Sequence, residues 1–354
     1  MARNGNSNLH DSSRNKQDEF YTTLQLIEDE LRHYRPHFKG KRVLCNCDDP
    51  WESNFFKFFA MNFNALGLKS LTATCYAASP FAQMELDLIG DGSAAKAQRR
   101  RGTQRNKQAY KVVINEVTDV NGDGRVDLAD VEWLIRNKKN VLTKLKGDGD
   151  FRSPECVALL DEADIVVTNP PFSLFRKYMA QLMEHDKKFL IIGNLNAVKY
   201  KEILPLFMQN RVWLGCKAGH FWFKVPDYYD EKGTDFRIDE TGQKWRRMGN
   251  ICWFTNLDVS KRHDEMVLFR RYSPDDYPTY DTFDAIEVPK TADIPCDYSG
   301  AMGVPITFMT QHNPAQFDIL GVLNSGSGNE YDFAKAVVNG KTLYARILIR
   351  RRQP

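Results

Sequence analysis

Residues 164 to 175, DIVVTNPPFSLF, contain four consecutive side chains whose types and order could act on a planar amine. β-Branched residues predict a buried strand, which ends in Asn169, Pro170, Pro171 and Phe172. Prolines fix φ and lack an N–H group, so the Pro170 carbonyl is held rigidly as an acceptor without a competing donor, and the Asn169 amide oxygen offers a second acceptor. Two such acceptors can bind both hydrogens of an amine, and Phe172 can stack on its ring. The alternative is that the prolines merely end the strand.

Asn-Pro-Pro-Phe after a buried strand resembles the motif of amino-group methyltransferases that use S-adenosylmethionine. The exocyclic amine of adenine is a poor nucleophile because its lone pair is delocalised into the ring. Acceptors on both hydrogens move the nitrogen toward tetrahedral geometry, so that the lone pair can attack the sulfonium methyl in line. The base must first leave the duplex, and Phe172 would then stack on it.

Longer stretches extend this resemblance to nearly the whole chain. DEFYT, CNCDDP followed by SNFFK, GDGDFRS, KKFLII, WLG, TNLDV and MGVPITF occur between residues 18 and 308. They make the chain similar to the EcoRI-type adenine-N6 DNA methyltransferases. The resemblance implies a site-specific enzyme that flips an adenine out of double-stranded DNA and methylates it with S-adenosylmethionine. It further implies restriction-modification, with a cognate restriction endonuclease as an expected partner and a monomeric enzyme.

The resemblance also assigns cofactor-binding residues. An N-terminal motif would lie near the methionine end of the cofactor, a loop after the first strand would follow it, and an Asp-Phe pair would bind the adenine ring. These residues are Phe20, Tyr21 and Thr22, then Asn46, Asp48, Asp49 and Pro50, and finally Asp150 and Phe151. The first strand is not followed by GxGxxG, and the second ends without an acid for the ribose hydroxyls. Asp48 and Asp49 are the alternatives for that acid.

The same Asn-Pro-Pro-aromatic geometry serves any planar amine, so two alternatives to DNA methylation stay open. One is a methyltransferase that acts on RNA or on a protein glutamine. The other is a catalytically silent DNA-binding relative, which the missing glycine loop would permit.

Residues 119 to 130, DVNGDGRVDLAD, have the ligand spacing of an EF-hand calcium loop and resemble a dockerin-type loop. Gly124 takes the sixth position, where a sharp turn is needed, and VEWLIRNK predicts the exit helix. The ligands would be Asp119, Asn121, Asp123, the carbonyl of Arg125, Asp127 and Asp130. Calcium would have a structural role here, and the alternative is a solvated acidic turn without an ion.

Basic residues offer contacts to DNA phosphates, which contribute affinity without sequence information. The candidates are Arg99, Arg100, Arg101, Arg105 and Lys107. The alternative for this run is a solvated face. His220, with Phe221 and Trp222, is a candidate for a loop near the flipped base, and core packing is the alternative for these aromatics.

Two strand-helix-strand units would position these residues. The residue patterns predict strands at 42–47, 70–77, 164–169 and 187–194, and helices at 53–67 and 172–184. Ser53 or Asn54 is the expected N-cap of the first helix, and Gly67 its end. Such units pair in parallel, and ligands lie beyond the carboxyl ends of the strands. The predicted fold class is α/β with a mostly parallel sheet, which the resemblance makes a Rossmann-like S-adenosylmethionine-dependent methyltransferase fold.

The domain prediction divides the chain into three parts. Residues 1–17 form a disordered arm, and 18–224 form the S-adenosylmethionine-binding catalytic domain, which starts with a helix within 18–34. An inserted, irregular segment at about 78–146 contains the calcium-type loop. Residues 225–354 form a C-terminal α+β target-recognition region, where short strand-like stretches alternate with proline and glycine.

Composition limits the class of protein. The chain has 354 residues, 42% of them apolar, which is enough for a substantial core. No apolar run has membrane-helix length and the start resembles no signal peptide, so a cytoplasmic, nucleoid-associated protein is expected. The net charge of +3 identifies no partner, and seven scattered cysteines predict reduced thiols.

Overall fold

The computed structural model describes residues 22–47, 53–75, 109–120, 122, 124, 126–137, 142–225, 235–326 and 330–352. The chain forms two compact units. The described residues within 1–173, 182–191 and 221–248 form the first, and those within 174–181, 192–220 and 249–354 form the second. These units alternate along the chain, whereas the predicted functional boundary is a single cut after residue 224. No helix in the described part of the chain is long and apolar enough to cross a bilayer.

The first unit is built around a mixed sheet with helices between its strands. The strands are β1 (Arg42–Cys45), β2 (Ser70–Cys75), β3 (Tyr110–Ile114), β4 (Leu142–Lys144), β5 (Ile165–Thr168) and β6 (Lys188–Asn194). Their order is β4-β3-β2-β1-β5-β6. The helices are α1 (Leu24–Leu31), α2 (Arg35–Phe38), α3 (Asn54–Met61), α4 (Phe63–Leu66), α5 (Leu128–Asn137) and α6 (Pro154–Glu162). Helix α7 (Phe175–Glu184) follows β5, and its residues up to 181 belong to the second unit, as do residues 192–194 at the end of β6.

The four central strands are parallel, which confirms both predicted strand-helix-strand units. Val43 of β1 pairs with Leu71 of β2 and with Ile165 of β5, and Ile165 pairs with Lys188 of β6. All four residues of β5 are buried, as expected for a parallel strand covered on both faces. The α/β fold class is therefore confirmed.

Capping residues set the helix limits. Thr23 caps α1 by accepting from the Leu26 N–H, and Ser53, rather than Asn54, caps α3 by accepting from the Phe55 N–H. The predicted helix at 53–67 is interrupted at Asn62 and continues as α4. Gly67 ends α4 with a φ of 62°, which glycine adopts without steric cost.

Helix α7 begins one turn later than predicted, because Phe172–Leu174 form a 3-10 turn after the two prolines. Its buried residues recur at helical spacing, which explains why the pattern predicts it. They are Phe175, Tyr178, Met179 and Leu182.

The segment predicted to be irregular, 78–146, contributes two strands to the sheet. β3 pairs antiparallel with β2 from Leu71–Ile114 to Cys75–Tyr110, and β4 pairs antiparallel with β3. Tyr110, Val112 and Ile114 are buried and alternate with half-buried residues. This alternation is the sequence pattern of a strand, and the prediction of irregular structure is wrong for these residues.

An ion pair joins the amino ends of β1 and β5. The Arg42 guanidinium donates to both carboxylate oxygens of Asp164 at 3.1 and 3.2 Å, and the Arg42 N–H donates to the same carboxylate at 2.8 Å. Hydrogen bonds from Arg42 lower the pKa of Asp164. The pair therefore ties the two strands together at the end away from the carboxyl termini, where ligands are expected.

From residue 192 onward, most of the chain belongs to the second unit. The elements are α8 (Leu204–Met208), β7 (Trp213–Lys224), β8 (Phe236–Ile238), β9 (Lys244–Thr255), β10 (Ile286–Glu287), β11 (Met302–Pro305), β12 (Phe317–Leu323), β13 (Asp332–Ala334), β14 (Val337–Val338), β15 (Lys341–Thr342) and β16 (Arg346–Arg351). Residues 221–248, with β8 and parts of β7 and β9, belong to the first unit.

A five-stranded sheet, β10-β11-β16-β12-β13, lies in the second unit. β16 is central and antiparallel to both β11 and β12. Its residues Ile347, Leu348 and Ile349 are all buried. Between residues 235 and 352, the described residues form strands and 3-10 turns without an α-helix, so the predicted α+β character is not confirmed there.

A buried ion pair links β10 to β16. Arg346 donates to both oxygens of Glu287, with a shortest distance of 2.7 Å, and the two side chains are only 12% and 6% exposed. The Tyr280 hydroxyl donates to the same carboxylate, and burial raises the pKa of Tyr280. The Tyr280 hydroxyl, the Arg346 guanidinium and the Glu287 carboxylate thus satisfy one another's hydrogen-bonding groups at a site with little access to water.

His312 is a half-buried histidine in the same unit. Its ring lies 5.7 Å from that of Phe308, and its Nε2 donates to the Phe317 carbonyl at 3.0 Å. Burial lowers the pKa of His312 from 6.5 to about 4. The folded protein therefore holds this imidazole neutral at a pH where the unfolded chain already binds a proton.

The free energy of unfolding should fall as pH drops from about 6.5 to about 4, by about 3 kcal/mol from His312 alone. The sign follows because only the unfolded state is protonated in this window. Urea unfolding at a series of pH values measures the slope. His312→Gln, which can still donate to the Phe317 carbonyl, should flatten it, whereas His263→Gln, at an exposed position, should retain it. An unchanged slope in His312→Gln would contradict the assignment.

Candidate active site

The Asn-Pro-Pro-Phe motif begins directly after the buried strand β5. Asn169 is half-buried, Pro170 is buried, and Phe172 is half-buried at the start of the 3-10 turn. Asn169 therefore lies at the carboxyl end of a central parallel strand, where ligands bind in open α/β sheets.

Thr22 connects Asn169 to two other parts of the first unit. The Asn169 Nδ2 donates to the Thr22 hydroxyl at 3.5 Å, and the Asn54 Nδ2 donates to the Thr22 carbonyl at 2.7 Å. Thr22 is buried and directly precedes Thr23, the N-cap of α1. This contact orients the Asn169 amide: its nitrogen points at Thr22, and its oxygen therefore points away from Thr22.

Asn46 lies at the carboxyl end of β1, the neighbour of β5. It is buried, and its carbonyl accepts from the Thr74 hydroxyl of β2 at 3.0 Å. The Cys47 thiol lies 3.8 Å from the Asn46 side-chain oxygen. The other predicted cofactor residues of this region lie outside the described residues: Phe20, Tyr21, Asp48, Asp49 and Pro50.

Asp150 and Phe151 lie between β4 and α6. Arg152 donates to both oxygens of the Asp150 carboxylate, at 2.8 and 2.5 Å, and these hydrogen bonds lower the pKa of Asp150. Phe151 is 5% exposed, and the Arg152 guanidinium lies 5.4 Å from its ring centroid. Asp150 is thus held as an anion beside an aromatic ring.

These residues fit an adenosine-containing cofactor by the chemistry of their donors and acceptors. The Asp150 carboxylate is ionised and partly exposed, so it can accept from an adenine amino group. Asn46 and Thr22 add amide and hydroxyl groups after β1 and before α1. Phe151 offers little exposed ring surface, and its stacking role stays a prediction.

The calcium-type loop has its turn and exit helix in place. The Asp119 carboxylate accepts from the Gly122 and Gly124 N–H groups, both at 2.7 Å, and Gly124 has a φ of 86°. Buried Asp130 accepts from the Val120 and Asp127 N–H groups at 2.8 and 3.0 Å. Asp127 caps the following turn by accepting from the Ala129 N–H. Helix α5 follows, as predicted.

The loop's metal ligands are only partly described. Asn121, Asp123 and Arg125 lie outside the described residues. In the part of the chain that the structure describes, no group of three or more His, Cys, Asp or Glu side chains is arranged to hold a metal. The calcium site is therefore not supported by the arrangement of the described carboxylates.

Among the predicted DNA-contact residues, only His220 can be located. Arg99, Arg100, Arg101, Arg105 and Lys107 lie outside the described residues. His220 is exposed on β7, and its ring lies close to Gly249, where a Cβ would approach the Nε2 to 3.0 Å. Phe221 is buried, in keeping with the packing alternative, whereas Trp222 is half-buried.

Comparison with known families decides the assignment. Residues 8–352 match the family described as adenine-specific methyltransferase EcoRI. The chain belongs to this family. Among curated relatives, Type II methyltransferase M.EcoRI of Escherichia coli is 43% identical to this chain over 100% of this chain and 99% of the relative. Type II methyltransferase M.MpnI of Mycoplasma pneumoniae is 34% identical, covering 96% of both chains. A comparison with solved structures found no match.

Membership of the EcoRI-type family makes this chain an adenine-specific methyltransferase by descent and implies S-adenosylmethionine as the methyl donor. Two further residues, Asn54 and Thr74, position the site and are not identified by local sequence patterns. Each hydrogen-bonds a backbone carbonyl of a predicted site residue, at Thr22 and Asn46 respectively. Asn54 gave a partial signal as a polar residue at a helix start, but Thr74 looks like an ordinary β-branched strand residue.

Proposed function

We propose that this protein is a site-specific DNA methyltransferase that transfers a methyl group to the N6 amine of an adenine flipped out of double-stranded DNA. Family membership supports adenine specificity. The observation that carries the chemistry is the placement of Asn169 at the carboxyl end of β5, with its amide nitrogen directed at Thr22. The amide oxygen is then the end of the group that faces away from Thr22, and an amide oxygen is an acceptor of the type that an amine hydrogen requires.

The proposed mechanism uses two acceptors and one aromatic ring. The Asn169 oxygen and the Pro170 carbonyl accept the two N6 hydrogens, which localises the lone pair on nitrogen. S-adenosylmethionine supplies an electrophilic methyl group on a sulfonium. The amine forms the N–C bond as the S–C bond breaks, and the methylated amine then releases one proton to water. Phe172 stacks on the extruded base, a contact that contributes about 1 to 3 kcal/mol in nucleic-acid complexes.

For the cofactor, we propose a Rossmann-like site at the carboxyl ends of β1 and β5. Thr22, with Phe20 and Tyr21, would lie near the methionine end, and Asn46 would lie beside it after β1. Asp48, Asp49 and Pro50 would form the loop that replaces a glycine-rich turn. Asp150 would accept from the adenine amino group, because Arg152 keeps it ionised.

The partner of this site is double-stranded DNA. We assign target recognition to residues 225–354, together with His220 and the basic run from Arg99 to Lys107. Type II methyltransferase relatives suggest a restriction-modification context, with a cognate endonuclease acting on the same sequence. We further propose that the protein acts as a monomer, in the cytoplasm at the nucleoid.

Single-molecule sequencing that detects N6-methyladenine tests the proposal. Genomic DNA would come from methylation-deficient bacteria that express the wild type or Asn169→Ala. A single modified motif that disappears in the variant supports the enzyme, the base and the site together. If the DNA is unmodified but labelled methyl groups from S-adenosylmethionine are transferred to RNA or protein, the substrate is RNA or a protein glutamine instead. Unmodified DNA with S-adenosylmethionine binding absent in calorimetry would favour a silent DNA-binding relative.

We also propose that residues 119–130 bind calcium in a structural role. Support comes from the ligand spacing and from Asp119, whose carboxylate already closes the turn through Gly122 and Gly124. Calcium should raise the melting temperature of the wild type, and Asp123→Ala should abolish that rise. Magnesium serves as the control ion, since the loop spacing favours calcium. A wild type whose melting temperature ignores calcium would exclude the site.

A further inference from the structure

Strand β8, the turn after it and the first residues of β9 form a two-stranded antiparallel ribbon, residues 236–247, here named the basic ribbon. Phe236 pairs with Arg246, Arg237 with Trp245 and Ile238 with Lys244. β8 is bonded to β9 and lies off the main strand order of the sheet. β9 is exposed or half-buried over residues 244–250 and fully buried over 251–255, so the ribbon is its solvent-facing end.

The charged side chains on the paired strands of the basic ribbon are all positive. They are Arg237, Lys244, Arg246 and Arg247. Arg237 and Arg247 are exposed, and Ile238, at 50% exposure, is an apolar side chain among these cations. The acidic residues Asp239 and Glu240 lie in the turn. The strands therefore present a positive surface with an apolar side chain, which complements a polyanion that also carries apolar groups.

Aromatic stacking holds one of these cations in a fixed position. The Arg237 guanidinium lies 4.5 Å from the ring centroid of Trp222 and 5.6 Å from that of Trp245. Stacking uses the faces of the guanidinium, while its N–H groups lie in its plane and point outward from the edges. An exposed arginine fixed in this way loses little conformational entropy when it binds a phosphate or a base edge.

The turn of the basic ribbon is rigid for a separate reason. The Thr241 hydroxyl donates to Asp239 at 2.6 Å and the Trp245 Nε1 donates to its other oxygen at 2.8 Å. These hydrogen bonds hold the pKa of Asp239 at about 2. The carboxylate thus stabilises the turn and fixes Trp245, which in turn stacks on Arg237.

We propose that the basic ribbon docks in the major groove of the substrate duplex, with Arg237 and Arg247 contacting DNA. The inference rests on the proposed DNA-methyltransferase function and extends it by naming the docking element. The B-DNA major groove accommodates a two-stranded ribbon, and it presents phosphates at its edges and thymine methyl groups on its floor. The major groove of A-form RNA is too narrow for side chains to enter, so the ribbon fits duplex DNA and not duplex RNA.

The test measures binding of the full-length protein to a 30-base-pair DNA duplex between about 50 and 200 mM salt. Arg237→Gln/Arg247→Gln should reduce the slope of log affinity against log salt by nearly two units, since each phosphate contact contributes about 0.9. The matched control, Lys41→Gln/Lys69→Gln, removes the same charge from exposed positions directly before β1 and β2, at the amino ends of the strands, and should keep the wild-type slope. Circular dichroism and S-adenosylmethionine calorimetry check that both proteins are folded.

The single variant Arg247→Gln leaves the stacking of Arg237 on the tryptophans intact, so it tests the inference even if the double variant misfolds. It should reduce the slope of log affinity against log salt by about half as much as the double variant does. Protection of guanine N7 from dimethyl sulfate, lost in the double variant, would support the major groove. Equal slopes for the ribbon and control variants, or ribbon-dependent binding that is as tight on duplex RNA, would overturn the inference. If the wild type methylates DNA but the ribbon variants bind DNA with an unchanged salt slope, this inference is wrong and the proposed function stands. Ribbon-dependent DNA binding without any methylation keeps it and overturns the proposed function.

Discussion

Asn169→Ala should lower the rate of methyl transfer to DNA by about a hundredfold to a thousandfold, the range seen when one preorganised hydrogen-bonding group is removed from a reacting centre. Alanine removes the acceptor that localises the adenine lone pair, while β5 is buried through residues that do not change. The measurement is single-turnover transfer of labelled methyl groups, which separates the chemical step from product release.

Binding of S-adenosylmethionine to Asn169→Ala should remain within a few-fold of the wild type, because the loss falls on the target amine. Asn169→Asp keeps an acceptor oxygen and should retain more activity than alanine, although it loses the donor to Thr22. Asn64→Ala is the matched control, since Asn64 is exposed and donates to the Val117 carbonyl away from the motif. Near-normal turnover in Asn169→Ala would refute the acceptor role.

Removal of the Glu287 carboxylate should lower the free energy of unfolding by about 3 to 5 kcal/mol. Glu287→Ala leaves Arg346 with an uncompensated charge at a site where only 12% of its side chain is exposed, and it also removes the acceptor of the Tyr280 hydroxyl. Both losses act on the five-stranded sheet, where β10 and β16 each pair with β11. Urea unfolding of the full-length protein measures the change.

Asp318→Ala provides the comparison, because it breaks an ion pair of similar length on the surface. Arg352 and Asp318 lie 2.7 Å apart but are 47% and 45% exposed, so the loss should be at most about 1 kcal/mol. Glu287→Gln should fall between the two, since it retains a hydrogen-bond acceptor without the charge. If Glu287→Ala and Asp318→Ala lost equal stability, burial would not be the cause.

Local patterns in the sequence predicted the parallel core. The apolar run at 164–168 and the helical spacing of Phe175, Tyr178 and Leu182 each report burial within a few residues, so they could be recognised without the structure. The caps followed as well, because Ser53 and Gly67 act on neighbouring backbone groups. The proposed roles of Asp150 and Phe151 come from the resemblance and not from a local pattern.

Contacts between distant residues could not be predicted. Nothing near Thr22 in sequence indicates that its hydroxyl accepts from Asn169 or that its carbonyl accepts from Asn54. The strand at Tyr110–Ile114 was missed for a different reason. Its alternation is clear, but it lies in a polar, glycine-containing segment whose antiparallel pairing with β2 depends on tertiary structure. The interleaved units likewise depend on which segments pack together.

The contact between Thr22 and Asn169 joins residues separated by 147 positions. Proteins are synthesised from the amino end, and their domains generally begin to fold in that order. A nascent chain that ends before Asn169 lacks the Asn-Pro-Pro-Phe motif and β6. Under the mechanism proposed above, such truncated translation products would have neither acceptor for the adenine amine and would not methylate DNA. Methylation would become available to the cell only once the motif that follows β5 has been synthesised.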